Sequence, residues 1–71
     1  MADSAYKIVT LVGTSPESWE KAATVAVEEA AKTVRDLRIA EVEELDMQIE
    51  GGKIKNYRAR VRISFKYEGG A

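Results

Sequence analysis

The apolar positions of this chain change their spacing twice. Tyr6, Ile8, Val9, Leu11 and Val12 crowd into a short run rich in β-branched residues, which predicts a strand over Tyr6–Val12. From Trp19 the spacing turns helical. At about 100° per residue, Trp19, Ala23, Ala26, Val27, Ala30, Val34 and Leu37 fall within an arc of roughly 100°, with Ala22 at its flank. Glu17, Lys21, Thr24, Glu28 and Arg35 stand opposite, so an amphipathic helix from Pro16 to about Asp36 is expected. Its core face is thin and alanine-rich, which lets a sheet come close. After Leu37 the period becomes two, predicting strands over Ile39–Glu50 and Lys53–Glu68. Gly51-Gly52 between them favours a primed hairpin turn.

The link from Val12 to Trp19 fixes the order β then α. Gly13 breaks the first strand, and Thr14 and Ser15 can accept hydrogen bonds from the first turn of a helix. Pro16 suits the first helical position, which makes Ser15 the expected cap. Glu17 then sits at the positive end of the helix dipole.

The last strand alternates cleanly. Tyr57, Ala59, Val61, Ile63, Phe65 and Tyr67 take one face, while Arg58, Arg60, Arg62, Ser64 and Lys66 take the other. The second strand does not hold one phase: Ala40 and Val42 are apolar at even positions, Leu45, Met47 and Ile49 at odd ones. A bulge near Glu43-Glu44 would realign them. A regular hairpin is the other solution and the one expected here. It sets Val42 against Val61 and Ala40 against Ile63 on the helix side, with Glu41 facing Arg62 and Glu43 facing Arg60 on the other. The same register gathers Leu45, Met47, Ile49 and Ile54 on the face away from the helix, an apolar patch that a second copy could cover.

Size sharpens that expectation. The chain has 71 residues, read as one domain over 1–71 with an ordered core of about 5–68, and it has no cysteine and no histidine. Neither a disulfide nor a thiolate or imidazole metal site can supplement so small a core, so self-association is expected. Eleven basic and twelve acidic side chains give a net charge of −1, which argues against nucleic acid as a partner. No apolar run approaches the roughly 20 residues that span a bilayer. The first residues lack a basic, apolar signal segment, so no membrane partner and a cytoplasmic location are expected.

Candidate chemistry is sparse. Arg58, Arg60 and Arg62 could grip an anion, but Glu41 and Glu43 are available to neutralise them as an ordinary surface face. Glu41, Glu43, Glu44, Asp46 and Glu50 could offer oxygens to a hard cation, yet strand residues alternate faces and few can converge in one subunit. Trp19 reads as packing on the core stripe. No glycine pattern cradles a phosphate, and no imidazole or thiol can join a serine in a nucleophilic arrangement. An enzyme is not expected, and no catalytic residue is assigned.

The β-α-β-β order, Gly13-Thr14-Ser15 before the helix, Lys32-Thr33-Val34-Arg35-Asp36-Leu37 at its end, Glu41-Val42, and Gly52-Lys53-Ile54 before Tyr57 together resemble the dodecins over about Tyr6–Tyr67. The resemblance implies an α+β subunit whose three-stranded antiparallel sheet wraps around one helix, twelve copies closing into a hollow homododecamer. It also implies a non-catalytic storage role in which a flavin (FMN, riboflavin or FAD) or a related small molecule is sequestered. Flavin-binding members stack a tryptophan on the flavin across a two-fold axis and bond the ring edge with a glutamine. Alignment on Glu41-Val42 puts Ile39 at the first position and Arg58 at the second. Ile39 offers no aromatic face and Arg58 only donors, so stacked flavin binding should be weakened. Ser15-Pro16-Glu17-Ser18-Trp19, Arg38-Ile39-Ala40 and Tyr57-Arg58 are more similar to the calcium dodecins. On this resemblance the ligand positions are Ile39, Glu44 and Arg58, the metal candidates are Glu44 and Asp46, and the alternative is a calcium-binding or chiefly structural cage.

Overall fold

A computed structural model describes residues 3–67. The elements run β1 (Tyr6–Ser15), α1 (Trp19–Ala31), β2 (Leu37–Glu50) and β3 (Lys53–Lys66). The strands form one antiparallel sheet in the order β1-β3-β2, with α1 packed on one face. The predicted end of the last strand at Glu68 lies outside the described residues.

The central strand carries the core. Ala59, Val61 and Ile63 alternate along β3 and meet Ala22, Ala26 and Ala30, spaced four apart on α1. Val9, Leu11, Ala23, Val27 and Leu37 close around them. The alanine stripe allows helix and sheet to approach closely, and Gly13 on β1 marks the tightest point. A methyl group there would overlap the Ala22 carbonyl oxygen and stand 2.9 Å from the Ala26 nitrogen.

The helix is shorter than its apolar period suggested, for a local reason at each end. Ser15 is buried and extended as the last residue of β1, paired with Tyr57, because the residue before a proline is steered away from helical angles. Its hydroxyl accepts from the Glu17 N–H at 3.0 Å. The cap is therefore Ser18 and not Ser15: its hydroxyl accepts from the Lys21 N–H at 3.0 Å. At the other end the Thr33 and Val34 N–H groups both bond the Ala30 carbonyl. Asp36, in the left-handed region with φ 61°, then turns the chain into β2.

The hairpin is bulged, which overturns the regular register. Gly51 and Gly52 have φ of 60° and 76°, as a primed two-residue turn demands. Toward the open end the expected pairs Val42–Val61, Glu41–Arg62 and Ala40–Ile63 all form. Between them and the turn, however, the register shifts at Val42/Glu44, so that Glu44 rather than Glu43 faces Arg60. Further shifts fall at Leu37/Ile39 and Gln48/Ile49. The extra residue at Glu43 brings the even apolar positions and the odd ones onto the same face. Leu45 faces the buried Ala59, and Met47 faces Tyr57. The patch of Leu45, Met47, Ile49 and Ile54 therefore lies on the helix side of the sheet, not on the side away from it.

These residues nonetheless remain in water. Leu45, Met47, Ile49 and Ile54 are all exposed, Ile49 at 65%. The chain is elongated, 54 × 20 × 15 Å, because the hairpin runs far past the helix. Ile63 and Val61 are its largest fully buried side chains.

The tightest contact gives a clear test. Gly13→Ala should cost about 3 kcal/mol, since the obstructing atoms are helix backbone that cannot rotate away. Thermal or urea unfolding should register it, whereas Gly51→Ala, with nothing within 4 Å of the added carbon, should show only the smaller cost of its positive φ.

Candidate functional site

The face of the sheet away from the helix is built by alternation. Arg58, Arg60, Arg62 and Ser64 stand along β3, and opposite them on β2 come Asp46, Glu44, Glu41 and Ile39. β1 completes the face with Thr14, Val12, Thr10 and Ile8 beside the same four β3 residues. One end is thus apolar, Ile8 and Ile39 flanking Ser64, and the rest is a ladder of ion pairs.

The ladder tightens toward the turn. Arg58 donates from Nε and Nη2 to the two oxygens of Asp46, at 2.7 and 2.9 Å. Arg60 donates once to Glu44, at 2.8 Å. Arg62 lies 3.9 Å from both Glu41 and Glu43, too far for a hydrogen bond. All three arginines have acidic neighbours, as the reading of an ordinary charged face expected, but the bulge gives Arg60 Glu44 in place of Glu43. The hydrogen bond from Arg58 holds the Asp46 carboxyl below the usual carboxylate range, and the same bond pushes the Arg58 guanidinium up.

Trp19 ties this face to the helix. Its indole N–H donates to the Asp46 carbonyl oxygen at 3.0 Å, and its ring meets Tyr57 edge-on with centroids 5.1 Å apart. The packing role read for Trp19 therefore stands, with a hydrogen bond that strand spacing gave no way to see.

Ile39, Glu44 and Arg58 all lie on this one face, and Ile39 is 66% exposed. They do not form one pocket in a single chain. Ser64, which faces Ile39, is six residues along β3 from Arg58, or roughly 20 Å at strand rise. Glu44 and Asp46, the metal candidates, are neighbours here, each engaged by an arginine. Among the described residues no three acidic side chains converge as a metal site. Ser64 follows from the alternation of the last strand, whereas only the strand pairing shows that Ile8 and Val12 share the face. A groove of about 510 Å³ lies elsewhere, between Trp19, Glu20 and Ala23 on the helix and Val42 and Leu45 on β2. It is the open edge of the core. No helix among the described residues is long and apolar enough to cross a membrane.

One helix laid on a three-stranded antiparallel sheet, with a long bulged hairpin and a charged outer face, defines a class of small α+β subunits without a catalytic constellation among the described residues. The Dodecin family model matches residues 5–68. Calcium dodecin of Mycobacterium tuberculosis is 44% identical over 63 residues, covering 89% of each chain. Its crystal structure, described as a calcium-chelating antigen with a novel calcium-binding site, superposes with a TM-score of 0.82 over 96% of this chain and 97% of that one, at 45% identity. A dodecin from Streptomyces coelicolor gives a TM-score of 0.89 at 32% identity, covering 96% and 97%. The chain belongs to the dodecin family.

The depressed Asp46 carboxyl sets a pH dependence. Its pairing adds stability above the ordinary carboxylate value and loses it as pH falls through the lowered one. Asp46→Asn should therefore flatten the decline in stability below about pH 4, measured by urea unfolding at a series of pH values.

Proposed function

We propose that this protein is a non-catalytic dodecameric cage that binds a small ligand on the outer sheet face, between copies of the subunit. The observation that carries the reading is that Ile39 shares a face with Glu44 and Arg58 but lies at the far end of it, roughly 20 Å from Arg58 along the strand. Such residues can serve one ligand only if a symmetry-related copy brings them together. The exposed apolar hairpin arm supports the same assembly, since four large side chains on its inner face are uncovered in the single subunit. Storage or buffering in the cytoplasm is the role proposed.

The first ligand reading is a flavin or a related flat, uncharged ring, held weakly. The apolar end at Ile8, Ser64 and Ile39 gives it a platform, and the lack of an aromatic face there limits affinity. The second is calcium, favoured by the kinship with calcium dodecin and by the acidic side chains Glu41, Glu43, Glu44 and Asp46 beside three arginines. Glu44 and Asp46 would have to leave their arginines to bind it.

Three measurements separate these readings. Native mass spectrometry of the untreated protein should give a twelve-subunit mass with any retained ligand, and Ile49→Asp should break that assembly. Riboflavin fluorescence should be quenched weakly by the native protein and strongly by Ile39→Trp combined with Arg58→Gln; no gain in the double variant refutes the flavin position. Calcium should raise the melting temperature and a chelator lower it. A melting curve indifferent to millimolar calcium removes the metal reading.

A further inference from the structure

The three arginines of the outer face are not equally available. Arg58 is engaged side-on by both oxygens of Asp46, Arg60 has a single bond to Glu44, and Arg62 makes no hydrogen bond to its two acidic neighbours. Asp46 is also fixed at its main chain, where its carbonyl oxygen takes the Trp19 indole N–H at 3.0 Å. The carboxylate that meets Arg58 is thus carried by a backbone position tied to the helix as well as to β3.

We propose that Asp46 is a specificity-determining residue, a built-in counter-ion that closes Arg58 to anionic ligands. The outer face then offers an incoming oxyanion no free hold at Arg58. Two features carry this. An arriving phosphate would have to displace a carboxylate already held in the planar, two-point geometry that phosphate itself would use. It would also enter a field in which Glu41, Glu43, Glu44 and Asp46 outnumber Arg58, Arg60 and Arg62. Arg62, though loosely held, gives the phosphate no better foothold, because two carboxylates, Glu41 and Glu43, each lie 3.9 Å from its guanidinium. The inference rests on the reading of this face as the ligand face, but the gate itself can be tested without any flavin.

The probe is inorganic phosphate, titrated by calorimetry at constant ionic strength into the native assembly and into Asp46→Asn, with Asp46→Ser as a second removal of the charge should the first fail to assemble. The native protein should show no saturable binding. Loss of the Asp46 charge should strengthen phosphate binding roughly ten-fold or more, the scale of one charge-assisted pair, and adding Arg58→Gln should abolish the gain. Glu44→Gln, which removes one negative charge but leaves the Arg58 pair intact, should gain much less. Saturable binding by the native protein, no gain on removing Asp46, or an equal gain in Glu44→Gln each overturns the proposal. If riboflavin then fails to bind the native protein while the phosphate pattern appears, the ligand reading falls and the gate stands.

Discussion

A helix of 13 residues rises about 20 Å, whereas a strand of 14 residues runs about 46 Å. That mismatch governs the molecule. The helix can cover the middle of the sheet, where its alanines meet Ala59, Val61 and Ile63, and it cannot reach the hairpin end. The inner face of the arm is apolar all the same. A subunit built this way buries only small and medium side chains and leaves Val42, Leu45, Met47, Ile49 and Ile54 in water. The hydrophobic burial missing from one copy is available only against another.

The same bulge that unites the apolar positions also organises the charges. Without the extra residue at Glu43, Glu43 would face Arg60, and Leu45 and Met47 would turn outward among the arginines. With it, acids and arginines interleave across two strands, and the pairing grows from loose at Arg62 to bidentate at Arg58. Exposed pairs of this kind add little stability individually, about 0–1 kcal/mol each. Their larger effect is geometric: they fix where the cationic groups point. Trp19 joins the two faces, since the residue that packs on Tyr57 also holds the strand position of Asp46.

The charged outer face is partly legible in the sequence because strands have a period of two. Arg58, Arg60 and Arg62 could be placed on one face from spacing alone, and acids were expected opposite. The partners could not be read, because one unpaired residue moves every later pair by one place. Ile8 and Val12 were invisible as neighbours of that face, since pairing of β1 with β3 joins residues distant in sequence, Ile8 with Ser64 and Val12 with Arg60.

The sequence by itself determined the order of elements, the glycine turn, the alanine face of the helix, the alternation of the last strand and the family. These are local features, fixed by backbone sterics and by periodicity within a few residues. Tertiary structure alone decided that Glu43 is bulged, that the apolar arm lies on the helix side, and that Asp46 belongs to Arg58. Each of those choices is made by contacts across strands, where burying apolar groups on one common face outweighs the regularity of an unbroken hydrogen-bond ladder.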